Sequence, residues 1–332
     1  MKIDEWSDLL CAYVPAAAFG AAVELGLFWD LAEEPQSAEQ MAVRLDIPPR
    51  RCRIWLELLV GLQLLDRQGA RYAVSGRARA DILETHSRES WQLMAQEARE
   101  RDLAGHNLAL HVGYPGSVWE AQGHATPDYV AQMMEDPERA RRFTQMNHEL
   151  SRPLADELAQ VLDIGTARRL LDVGGGSGVI ALALLRRYPN LTATVVDLEP
   201  VCTAGREIAD GLSEGHRLSF HPADFLQDDL PVGYDAVIAC RVGVYGAGVY
   251  QKVARSLTPG GRLIVVDKLV REGIGTPWSG LVFAFLSSLQ DPDFYLISID
   301  EVTDRLTEAG FQVLSIQALT TGETVIETQL QP

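Results

Sequence analysis

Apolar spacing divides the chain into two regimes. Up to about residue 110, apolar positions recur at three- and four-residue intervals, the period of a helix face. Ser37-Ala38-Glu39-Gln40 reads as a capping box and predicts a helix over Met41 to Leu45. Ile47-Pro48-Pro49 predicts a turn, and Arg51 to Leu65 a second helix with Ile54, Trp55, Leu58, Leu59 and Leu62 on one side. Asp66 to Val74 then predicts a short hairpin, which completes a winged-helix pattern. Gly113-Tyr114-Pro115-Gly116 breaks the chain, and one long helix is expected from Pro137 to Leu162. From Arg169 the period changes. Short apolar runs (Leu170–Val173, Ala193–Val196, Leu218–His221, Ala236–Cys240 and Leu263–Asp267) alternate with helical stretches, which predicts a parallel sheet of βαβ units.

Composition narrows the function classes. The 332 residues carry a net charge of -17. Such a surface repels phosphate backbones and anionic membranes, so neither nucleic acid nor a membrane is an expected partner. Arg50, Arg51 and Arg53 at the start of the second helix do not outweigh this, and dimerisation is the expected role of the winged-helix region. Cys11, Cys52, Cys202 and Cys240 lie far apart, without the spacing of a zinc site or a disulfide framework. His106 and His111, five apart, point to different helix faces, and no metal is expected. Reduced thiols and a start without a basic signal-peptide region predict a cytoplasmic protein. The Ala-rich stretch Ala12 to Ala32 is interrupted by Pro15, Glu24 and Asp30, too polar for a membrane span.

The sharpest chemical signal is Leu170-Leu171-Asp172-Val173-Gly174-Gly175-Gly176-Ser177-Gly178, an apolar strand running into a glycine bend before the helix Val179 to Tyr188. Glycines let a ligand approach the backbone, and the helix start offers free N–H groups. Nicotinamide folds use similar bends, but here an acid, Asp172, precedes the glycines, which suits a cofactor bearing an ammonium group. Asp197 ends the next strand, where it can bind ribose hydroxyls. Asp224 and Phe225 follow the third, placed for an adenine amino group and ring. Three acids at three successive strand ends fit S-adenosylmethionine better than a nicotinamide dinucleotide; the plainer alternative is that one of them caps a helix.

With these motifs, and with Leu230–Asp235, Leu257–Leu263 and Glu308–Phe311, the chain resembles S-adenosylmethionine-dependent methyltransferases related to plant caffeate and hydroxyindole O-methyltransferases. The resemblance implies a Rossmann-like catalytic domain over 166–332, linker helices over 111–165 and a mostly helical winged-helix dimerisation domain over 1–110. It implies a homodimer. It also implies that Gly174, Gly176, Ser177, Leu198 and Cys240 line the donor site, and that Phe143, Asn147 and Ser151 approach it from one helix face. Asn147 stands where the family often has Met.

The acceptor side departs from that family. Counting from Asp235, Val244 and Tyr245 hold the place of its His-Asp pair, and the later Glu that orients the His falls near Leu296. A phenol, with a pKa near ~10, gains about 10²–10⁴-fold from a base in the transition state. A thioether has no proton to lose and needs only alignment, itself worth ~7–11 kcal/mol. The expected reaction is therefore methylation of a small-molecule thioether, with Arg241 or Arg142 as candidate clamps for a carboxylate on it and Tyr245 and Tyr250 beside the developing sulfonium. For Arg241 the alternatives are a contact to the donor's carboxylate or a structural ion pair. The chain is similar in this to base-less 4-methylthio-2-hydroxybutyrate S-methyltransferases of dimethylsulfoniopropionate synthesis. O-, N- or C-methylation in natural-product biosynthesis and a non-methylating role are the alternatives. The apolar helix Leu281 to Leu289 is expected to shape the acceptor pocket.

Overall fold

The computed structural model describes residues 6–106, 108–243, 246–270 and 278–331. The chain divides into two compact units, Met1–His106 and Asn107–Pro332.

In the first unit the capping box forms as expected: Ser37 Oγ accepts from Gln40 N, and Gln40 Oε1 accepts from Ser37 N at 2.8 Å, opening the helix Ala38–Arg44. The second helix runs from Pro49 to Gly61. It ends short of Leu65 because Gln63 turns to a left-handed φ of 62° and Leu65 opens a strand. Its buried stripe is Cys52, Leu56 and Leu59, while Ile54 is 72% exposed. The apolar face is thus rotated from the one the sequence suggests. Strands β1 (Gln36–Ser37), β2 (Leu65–Gln68) and β3 (Arg71–Val74) form a small sheet in the order β1-β3-β2. The two-residue β1 was too short to leave a pattern. Among the described residues no single helix is long and apolar enough to cross a membrane. The pair Leu9–Glu24 and Leu27–Glu33 passes by length and composition but bends by 60°, and its Ala22, Val23, Leu27, Phe28 and Leu31 are buried in the unit's core.

The second unit is built on a seven-stranded sheet. Its strands are β4 (Arg169–Val173), β5 (Thr192–Asp197), β6 (Leu218–Pro222), β7 (Tyr234–Cys240), β8 (Leu257–Asp267), β9 (Phe311–Ala318) and β10 (Thr324–Leu330), in the order β6-β5-β4-β7-β8-β10-β9. The first five in that order are parallel, and β10 runs antiparallel to both neighbours. Alternation along the strands sorts the core into two layers. Leu170, Val195, Ile238 and Ile264 pack on one face of the sheet with Leu154 and Leu158 of the long helix Pro137–Val161. Leu171, Val196, Val237 and Val265 pack on the other. The helix Val179–Arg187 is buried throughout from Val179 to Leu185.

β9 and β10 were not legible beforehand, since β9 is an edge strand exposed along most of its length. The apolar helix extends over Trp278–Gln290, but its Leu281, Phe283 and Phe285 are exposed and do not line the cavity at the strand ends described below. Of the loop before it, residues 273–277 lie outside the described residues.

Candidate active site

Parallel strands end on the same edge of a sheet, so the acids at the tips of β4 and β5 and the one just past β6 are brought together by topology. A cavity of about 460 Å³ opens at that edge. Its wall includes Asp172, Gly174, Gly176, Ser177, Asp197, Leu198, Asp224, Phe225, Cys240 and Arg241, with Phe143, Asn147 and Ser151 contributed by the long helix. Every donor-site residue expected from the sequence is among them.

The glycines are required sterically. Gly174 and Gly176 have φ of 64° and 57°, the left-handed region. A Cβ at Gly175 would lie 2.4 Å from Asp172 Cγ. The bend is pinned from β5, where Gly174 N donates to Val196 O at 2.8 Å and Gly176 N donates to Asp197 Oδ2 at 2.8 Å.

The three carboxylates differ in what they already bind. Asp172 is completely buried, and neither of its oxygens makes a hydrogen bond of good geometry among the described residues, the Ala181 backbone acting on it only weakly. Burial, with the Asp197 charge nearby, pushes its pKa up to about 7. Asp197 is buried too; its oxygens accept from Leu198 N and Gly176 N, and burial still raises its pKa. Asp224 caps a local turn, with Oδ1 accepting from Leu226 N and Oδ2 from Gln227 Nε2, both at 2.9 Å. Asp224 thus holds a local turn and caps no helix, and it also lines the cavity.

A buried carboxylate so poorly partnered is costly in an empty protein and is explained by a cationic ligand group. An ammonium at Asp172, diol hydroxyls at Asp197 and a ring edge and face at Asp224 and Phe225 are the donor set an adenosyl amino acid needs, so the residues fit S-adenosylmethionine. Cys240 closes the floor; burial, with the Asp172 carboxylate next, pushes its thiol up, so it serves as an apolar wall.

Arg241 sits at the end of β7 in a left-handed conformation, φ 55°. Its Nε donates to Glu323 Oε1 at 3.0 Å, and its Nη2 donates to the same oxygen. Glu323 is buried, and its Oε2 has no partner among the described residues. The ion-pair alternative is therefore realised, and Arg241 also stands on the cavity wall.

The other residues expected on the acceptor side are not found on this wall among the described residues. Arg142 does not line the cavity. It lies one residue, about 100° of helix rotation, from Phe143 and so leaves the face shared by Phe143, Asn147 and Ser151. Tyr250 is 2% exposed in the core beneath β8 and is absent from the wall. Tyr245 lies outside the described residues. Several contributors went unread in the sequence, among them Tyr129, Val130, Leu226 and Val242. Tyr129 starts a helix capped by Asp128, and its ring lies 5.7 Å from that of Phe143. The cap at Asp128 was the signal that could have drawn attention to it.

Residues 109–312 match the O-methyltransferase domain family. The chain is 34% identical to the N,N-dimethyltransferase OxyT of Streptomyces rimosus over 92% of this chain and 90% of that protein. It is 30% identical to the 3-hydroxy-5-methyl-1-naphthoate 3-O-methyltransferase of Streptomyces sahachiroi, over 71% of this chain and 67% of that one. The structure of human N-acetylserotonin methyltransferase in complex with S-adenosylmethionine shares its fold, with a TM-score of 0.81, 22% identity and full coverage of both chains (100% each). The chain belongs to the O-methyltransferase domain family and is an S-adenosylmethionine-dependent methyltransferase.

Proposed function

We propose that this enzyme methylates a small molecule of natural-product biosynthesis, with an amine nitrogen as the favoured acceptor. The observation that carries the reading is the wall next to the donor site, where Cys240, Arg241 and Val242 stand and no imidazole is present among the described residues. A neutral amine presents a lone pair without losing a proton first, so alignment suffices where a phenol needs a base. The N,N-dimethyltransferase relative favours the same acceptor class. A thioether would suit the wall equally well chemically, but the two relatives described above are named for methylation at nitrogen and oxygen, which supports nitrogen over sulfur.

S-Adenosylmethionine supplies an electrophilic methyl group on a sulfonium. Asp172 takes the ammonium of its amino-acid end, Asp197 accepts from the ribose hydroxyls, and Asp224 with Phe225 holds the adenine. Phe143 and Tyr129 exclude water from one side. Arg241, held by Glu323, offers its remaining N–H groups to an oxygen of the acceptor, a carboxylate or carbonyl. The exposed apolar side chains Leu10 and Tyr13 in the first unit and Leu110 and Val112 in the second support a homodimer, which sedimentation equilibrium tests.

Incubating the protein with S-adenosylmethionine and parallel panels of amines, phenols and thioethers decides the acceptor. S-Adenosylhomocysteine and a mass shift of one methyl group are expected with amines. Turnover confined to phenols or to thioethers overturns the nitrogen reading.

A further inference from the structure

Ser177 is the last non-glycine residue of the donor bend, 4% exposed and part of the cavity wall. Its hydroxyl is not left to rotate: Oγ lies 3.0 Å from Nδ1 of His148. His148 belongs to the long helix that also supplies Phe143, Asn147 and Ser151, but it is not on the wall. One residue beyond Asn147, it is turned about 100° from that stripe and faces the bend instead.

We propose that His148 is a positioning residue for the donor: it donates from Nδ1 to Ser177 Oγ and thereby fixes the Ser177 O–H toward the carboxylate at the amino-acid end of S-adenosylmethionine. The inference rests on the reading that this end of the donor lies at Asp172 and the glycine bend.

Three features favour it. A hydroxyl that accepts one hydrogen bond has its own proton free for another acceptor, so the chain imidazole N–H to hydroxyl to carboxylate is satisfied at each link. The Asp172 and Asp197 carboxylates line the same cavity, so an anionic ligand group needs an oriented donor to offset their repulsion. The imidazole is also held neutral, because burial and the Arg152 charge lower its pKa, with Arg186 adding to this and only Glu149 opposing. A neutral ring carries one N–H, and Ser177 is the partner that Nδ1 has.

Calorimetry with two ligands tests the role. S-Adenosylhomocysteine has the amino-acid end; 5′-methylthioadenosine lacks it and keeps the nucleoside and sulfur. In His148→Ala, S-adenosylhomocysteine should bind about 2- to 12-fold more weakly, the range expected for one hydrogen bond, with 5′-methylthioadenosine unchanged. His148→Asn, whose amide N–H can stand near the position of Nδ1–H, should recover most of the loss. Adding Ser177→Ala to His148→Ala should cost clearly less than Ser177→Ala costs in the wild type, because the histidine acts only through that hydroxyl. Equal weakening of both ligands would mean a merely structural role and overturns the proposal, as do unchanged affinity for S-adenosylhomocysteine or full additivity of the two substitutions. Absence of any binding by the wild-type protein would instead sink the donor reading itself.

Discussion

At the tips of β4 and β5, and just past β6, stand three carboxylates, one of them fully buried and poorly partnered, around a bend that tolerates no side chain at Gly175. At the tip of β7 the same cavity is bounded by an inert thiol, a valine and one arginine already paired to Glu323. In the proposed reading the first half recognises a ligand by charge and hydrogen bonding, which demand particular residue types at particular places. The second half works by shape and alignment, which many side chains can supply. The contrast teaches that a shared donor imposes its chemistry on the protein, while a varied acceptor leaves the protein free to change.

Asp172→Asn should affect the donor half most. It removes the carboxylate expected to meet the ammonium, and calorimetry should find S-adenosylhomocysteine affinity reduced by roughly 100-fold, the scale of a lost buried charge pair. The same substitution should stabilise the ligand-free protein. Because the folded pKa lies near 7, above the unfolded value near 3.8, the native state binds the extra proton between those values and stability falls as pH rises through that window. At pH 8 the relief amounts to roughly 4 kcal/mol at most, and urea unfolding of the two proteins measures it. A destabilised Asp172→Asn protein would show that the carboxylate has a structural partner instead.

Ligand affinity should carry the same titration. With Asp172 protonated below about pH 7, S-adenosylhomocysteine should bind more weakly at pH 6 than at pH 8 in the wild type, and this dependence should vanish in Asp172→Asn. A pH-independent wild-type affinity would separate Asp172 from the ammonium.

Glu323→Ala sharpens the comparison from the acceptor side. It frees Arg241, whose side chain is 39% exposed and can turn to water, so the stability loss should be modest, roughly 1–2 kcal/mol. Acceptor KM should rise several-fold with donor affinity unchanged; equal loss of both would merge the two halves into one unit. The smallest effect is expected of Arg142→Ala, less than about twofold on either KM, since Arg142 is off the cavity wall. A large change there would restore it as an acceptor clamp.

Much of the donor half could be read in advance because its signals are local. A strand tip, an acid and a glycine bend lie within nine consecutive residues, Leu170 to Gly178, and the period-2 runs around them placed Asp197 and Asp224 at neighbouring tips. The helix face of Phe143, Asn147 and Ser151 followed from four-residue spacing and a family resemblance. Failures came where burial, not spacing, decides. Ile54 fits a helical stripe yet faces out, and Phe283 and Phe285 are apolar yet stand exposed. Tyr250 was placed near the acceptor but fills the core, because its position on the helix Ala247–Ser256 turns it inward against the sheet.

The sequence alone determined the alternation that makes a parallel sheet, and the acids and glycines that mark its donor edge, since side-chain periodicity and backbone freedom are properties of short segments. Only the tertiary structure decided that Arg241 meets Glu323, 82 residues away, and that His148 meets Ser177, 29 residues away. Such pairs depend on which strands lie side by side and how each helix is rotated against them. Those are set by the packing of the whole core, and no local pattern encodes them.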